Sequence, residues 1–154
     1  MKRIYKNILW PTDFSPLSLA AADTARTLAR DCEARLHVLY VAPLLVADRT
    51  IAVETGGDLM VAAGDTREFE LKLQRLVSDY LNGVPAVEPT VRVGVAWNEI
   101  CNYAKEASVD LIVIATHGQT GLKHVLLGSV SERVVQHAHC SVLVVKNPEL
   151  AQLP

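Results

Sequence analysis

The sequence has no excess of charge: its 154 residues set 15 Lys and Arg against 17 Asp and Glu, a formal net charge of -2. With a pI near 6.2, it offers no electrostatic draw on DNA or RNA, whose binding rests on phosphate neutralisation. No apolar run reaches the roughly 18 residues of a membrane-spanning helix. The opening MKRIYKNILWPTDFS is basic but has only a very short apolar stretch, unlike a secretory signal. The expectation is a cytoplasmic protein without membrane contact. Cysteine is scarce. Cys32, Cys101 and Cys140 form neither a CxxC pair nor a zinc spacing, so they read as buried free thiols. His117, His124, His137 and His139 lie close in sequence, but no Glu or Cys joins them at a ligand spacing. No metal site is expected. The GKT or GKS of a P-loop is missing, and with it that machinery for hydrolysis.

What is present is a core. Half the residues are hydrophobic and mean hydropathy is +0.21, which excludes disorder and suits one compact domain. That domain is expected over residues 1–147, with 148–154 as a tail. Residues 7–10 (NILW) read as a strand. Ser15 followed by Pro16 is a helix start, and Leu17, Ala21, Ala25 and Leu28 are expected to line its inner face. Residues 34–41 (ARLHVLYV) form a second strand. Residues 42–62 are long for a connection, and a lid, a partner contact and a short extra helix all stay open. Phe69, Leu73, Leu76 and Tyr80 predict a helix over 64–81, ended by Asn82 and Gly83. A third strand lies within 87–95. Asn98 is expected to cap a helix reaching Ala107, with Ile100 and Ala104 inward. Leu111–Ala115 and Ser141–Val145 are short buried strands flanking a helix over 130–137. The alternation predicts a parallel sheet with right-handed crossovers and helices on both faces.

Residues 111–145, LIVIATHGQTGLKHVLLGSVSERVVQHAHCSVLVV, carry the functional signal. A glycine-bearing loop here ends at a helix N-terminus, whose free N–H groups and positive dipole end suit an anion. A nucleotide phosphate is the expected occupant. Gly118 and Gly128 would let it approach the backbone, and Ser129 and Ser131 would offer hydroxyls. Ser129 to Glu132 also reads as a capping box, and Gly121 as a turn residue. If the fourth strand lies beside the first, ligand sits where strand order reverses. The crevice is then lined by Pro11, Thr12 and Asp13 on one side and by Ala115, His117 and Gly118 on the other. Ser129 and His137 are some two helical turns apart, about 12 Å, too far for a nucleophile and its base.

These stretches, with NILWPTDFSPLS at the start and HVLYVAP after the second strand, resemble the universal stress protein family along almost the whole chain. The family's ATP-binding branch carries G-x2-G-x9-G-(S/T). The matching stretch here is Ala115, Gly118, a nine-residue gap, then Gly128 and Ser129. The resemblance implies a Rossmann-like α/β domain, strand order 3-2-1-4-5, and a homodimer joined through the last strand, Ser141–Val145. It implies ATP or AMP in the cleft, with magnesium as the companion of a triphosphate. By position, Pro11, Thr12 and Asp13 would lie at ribose and adenine, and Val41 backbone would read the adenine edge. Ala115 and Gly118 would border ribose and phosphates. Gly128, Ser129, Val130 and Ser131 would hold phosphates. Ala115 adds a methyl where the motif has glycine, and Gln119 replaces a common Arg or Lys, which favours weaker triphosphate affinity or a preference for AMP.

Three functions follow from that resemblance. The first is a nucleotide-binding regulatory module of the stress response that signals to an unidentified protein partner. The second is a nucleotide-free stress adaptor, toward which Ala115 and Gln119 lean. The third is a slow ATPase.

Overall fold

A computed structural model describes residues 4–43, 66–116 and 127–146. The described elements run β1 (Asn7–Pro11), α1 (Pro16–Asp31), β2 (Arg35–Ala42), α2 (Arg67–Tyr80), β3 (Ala86–Val93), α3 (Ala96–Glu106), β4 (Leu111–Ala115), α4 (Ser129–His137) and β5 (Ser141–Val145). The strands form one parallel sheet of order β3-β2-β1-β4-β5. β1 and β4 are central, and all of β4 is buried. That is why both read as continuous apolar runs rather than alternating ones. β3 is an edge strand, which is where its Pro89 costs no ladder bond that a central strand would need.

The sheet divides two cores. On one face Ile8, Trp10, Leu36, Val38, Leu111 and Val113 pack with Ala21, Ala25 and Ala29 of α1 and Leu73 and Leu76 of α2. On the other, Leu9, Leu39, Ile112 and Ile114 pack with Ile100, Tyr103 and Ala104 of α3 and Val134 of α4. Alternate side chains of one strand serve opposite cores. The alanines let α1 approach the sheet closely.

Several local expectations shift. The buried stripe of α1 is Ser18, Ala21, Ala22, Ala25 and Ala29, with Leu17 and Leu28 half-buried beside it. Tyr80, expected inward, is exposed, and Leu81 closes that end of α2 instead. Gly83, at φ +84°, makes the turn out of α2. α3 starts at Ala96 with Val95 at its cap and no side-chain cap, so Asn98 lies inside the first turn. α4 likewise has Gly128 at its cap, and Ser129 is its first residue rather than the head of a capping box. Residues 44–65, most of the long connection, lie outside the described residues, as does the tail.

Candidate functional site

The strand order reverses between β1 and β4, and a cavity of about 270 Å³ opens at their carboxyl ends. It falls near the small end of the roughly 300–1,000 Å³ range of small-molecule sites. Its walls include Pro11 at the end of β1 with Thr12 and Asp13 after it, Val41 of β2, Ala115 of β4, and Gly128, Ser129, Val130 and Ser131 at the cap and first turn of α4. Those nine were singled out in the sequence. His117 and Gly118 lie outside the described residues. Five wall residues escaped sequence reasoning: Ser18, Leu39, Ala96, Ile100 and Ile114. Four of them are apolar and were legible only as core. They become wall because the cavity opens over the α3 side of the sheet.

The β1–α1 loop is built by hydrogen bonds from its own side chains. Thr12 N–H donates to Leu39 O at 2.9 Å, tying the loop to β2. Asp13 N–H donates to Ser18 Oγ at 3.3 Å, and Phe14 N–H to Thr12 Oγ1 at 3.1 Å. Asp13 Oδ1 accepts from Ser15 N–H at 3.0 Å and from Ser15 Oγ–H. Ser15 in turn caps α1 by accepting from Ser18 N–H at 3.1 Å. Ser18 Oγ–H donates to Thr12 Oγ1 at 2.6 Å. A polar loop can be this buried only because its groups satisfy one another. Asp13 therefore both shapes the loop and faces the cavity.

The opposite wall is a helix start. Glu132 N–H makes the first α-helical bond of α4, to Gly128 O at 2.9 Å. The preceding N–H groups of the first turn, at Ser129, Val130 and Ser131, have no i−4 partner within the helix. Gly128 N–H donates to Thr116 O at 2.6 Å, which fastens the helix start to the end of β4. The Ser131 hydroxyl is buried and points back to Thr116 O at 2.8 Å and Gly128 O at 3.0 Å. Its proton holds the turn together, which leaves its N–H as the donor a ligand could use. Ala115 packs with the α1-side core and Ile114 with the α3-side core, and both line the cavity.

The architecture is that of a doubly wound α/β domain with a cavity of mixed apolar and polar walls at its switch point, where such folds take ligands. A family model described as "Universal stress protein family" matches residues 4–146. The chain belongs to the universal stress protein family. It is 37% identical over 151 residues to universal stress protein MJ0531 of Methanocaldococcus jannaschii, covering 96% of this chain and 86% of that one. It superposes on the solved structure of MJ0577 from the same organism with a TM-score of 0.74 at 32% identity, covering 94% and 97%. It also shares its fold with a universal stress protein of Archaeoglobus fulgidus solved in complex with dAMP, at TM-score 0.66 and 22% identity, covering 93% and 99%.

Proposed function

We propose that the switch-point cavity binds an adenine nucleotide, ATP or AMP, and that the protein is a dimeric, cytoplasmic regulatory module of the stress response whose output is its nucleotide state. The observation that carries this reading is the pairing of two walls across one cavity: the Pro11, Thr12 and Asp13 loop on one side and the N-terminus of α4 on the other. Asp13, with Pro11 and Thr12, takes the ribose and adenine, and Val41 backbone takes the adenine edge. Ala115 borders ribose and phosphates, a role the sequence motif also gives Gly118, and His117 is a candidate ligand contact on its sequence position alone. Gly128, Ser129, Val130 and Ser131 hold phosphate on N–H groups and the helix dipole. The dAMP held by the Archaeoglobus fulgidus relative is a ligand of the same class.

Among the described residues no group of three or more His, Cys, Asp or Glu could hold a metal. Magnesium enters this reading as the companion of a triphosphate, with Asp13 as the protein carboxylate. No helix among the described residues is long and apolar enough to cross a membrane. The dimer forms through β5, Ser141–Val145, the second edge of the sheet.

The test is mass spectrometry of small molecules released from freshly purified protein, with calorimetric titration of ATP and AMP. Bound nucleotide, or micromolar binding that Asp13→Ala abolishes, supports the site. Affinity unchanged in Asp13→Ala overturns the assignment. No nucleotide and no heat would replace this reading with that of a nucleotide-free adaptor acting through protein partners. Magnesium-dependent turnover that Asp13→Asn removes would replace it with that of a slow ATPase.

A further inference from the structure

Among the described residues three non-glycine positions have positive φ: Phe14 at 63°, Glu33 at 51° and Ser108 at 52°. Glu33 and Ser108 each follow the C-cap of a helix, α1 and α3, where a left-handed residue is an ordinary ending. Phe14 ends nothing. It sits in the β1–α1 loop beside Asp13, at the cavity. A bulky side chain in this region is strained, and glycine would adopt the same φ without cost. Such strain persists only where the surroundings hold it, and it clusters at sites of function.

The surroundings of Phe14 are specific. Its ring lies 4.6 Å from that of Tyr40 on β2, and the Lys72 ammonium of α2 stands 4.6 Å from its centroid. Tyr40 is in turn 4.9 Å from Phe69 of α2. The ring packs with the α1 and α2 core, across the sheet from Leu39, Ile100 and Ile114 in the cavity wall. The turn it makes lets three successive N–H groups, those of Asp13, Phe14 and Ser15, find side-chain acceptors in the loop and in the first turn of α1. The Asp13 charge is felt at Tyr40, whose hydroxyl is pushed up first by burial and then by that carboxylate.

We propose that Phe14 is a positioning residue: its ring, held between Tyr40 and Lys72, keeps the backbone in the left-handed turn that sets Asp13 in the cavity wall. The proposal rests on the nucleotide reading of that cavity and adds a coupling to it. α2 reaches the site through Phe69, Tyr40 and Phe14, although neither Phe69 nor Lys72 lines the cavity. A change in how α2 sits would thus alter how Asp13 meets a ligand.

The experiment is calorimetric titration of AMP into the full chain carrying Phe14→Gly, Phe14→Tyr or Phe69→Leu, beside urea unfolding and hydrogen exchange at the Ser15 amide. Phe14→Gly permits the backbone angle but removes the ring. Its AMP affinity is expected to fall roughly ten- to hundredfold, the scale of a misplaced contact group, and the Ser15 amide to lose protection. Phe14→Tyr restores both, and Phe69→Leu weakens affinity in the same direction. A ring with a purely structural role would lower stability and leave the affinity of the folded protein unmoved. Wild-type affinity in Phe14→Gly overturns the proposal and leaves the nucleotide site standing. If Phe14→Gly fails to fold, Phe69→Leu at wild-type affinity overturns it instead. A wild-type protein that binds neither AMP nor ATP overturns both readings.

Discussion

His37 shows how much one residue's meaning depends on its neighbours. It is almost fully buried in β2, its Nδ1 lies 2.9 Å from Tyr103 Oη, and among the described residues its buried Nε2 has no partner. Glu88 Oε2 is 3.8 Å from Nδ1, Thr90 Oγ1 is 3.4 Å from the Tyr103 hydroxyl, and Arg92 lies over the Tyr103 ring. Burial pulls His37 below the usual 6.5; Glu88 opposes this and Arg35 adds to it. The folded protein therefore holds this imidazole neutral at a pH where the unfolded chain already protonates it. Above 6.5 neither state binds the proton and the group costs nothing. As pH falls below 6.5 the unfolded state gains protons first, so stability is lost until pH passes the lowered folded value. His37→Gln should flatten the loss of stability as pH falls through and below 6.5. Urea unfolding across that window checks it, and parallel slopes for both proteins would count against it.

At the scale of elements, the site is made by how two helices begin. α1 starts with a hydroxyl cap, Ser15, and a proline at its first position. The same Ser15 donates to Asp13, so cap and site loop share one residue. Ser15→Ala should cost about 1 kcal/mol of unfolding free energy, read as a lower urea midpoint at unchanged slope. An unchanged midpoint would mean the cap contributes nothing. α4 starts differently. Ser129 followed by Glu132 carries the pattern of a capping box, yet Gly128 takes the cap position because its N–H and carbonyl are held by Thr116 and Ser131 from the end of β4 and the first turn. A local pattern ranks residues near a boundary, but the bond from Gly128 N–H back to Thr116 O sets which one takes the cap.

For the whole molecule, the two edges of the sheet are unequal. β3 carries Pro89 and charged Glu88 and Arg92, devices that discourage pairing. β5 is SVLVV, with Leu143 more than a third exposed. A two-fold axis beside β5 would let two copies cover each other's edge. The proposed dimer predicts that the wild-type protein sediments as a dimer and Val142→Lys as a monomer. A variant that stays dimeric would move the interface elsewhere.

Among the described residues, period and punctuation in the chain were enough to place the five strands, the four helices and the parallel sense of the sheet's connections. Leu111–Ala115 and Ser141–Val145 match to the residue, because short apolar runs between turn signals have few ways to be buried. The polar part of the cavity wall was legible for a similar reason: loops after central strands carry the residues that a core would exclude. Leu39, Ala96, Ile100 and Ile114 were not, since an apolar side chain that lines a cavity and one that fills a core are the same in sequence. The cap of α4 and the left-handed Phe14 were likewise settled only by folding. Each depends on contacts between segments far apart in the chain, such as Thr116 with Gly128 or Phe14 with Tyr40 and Lys72, and no local pattern of side chains encodes such a meeting.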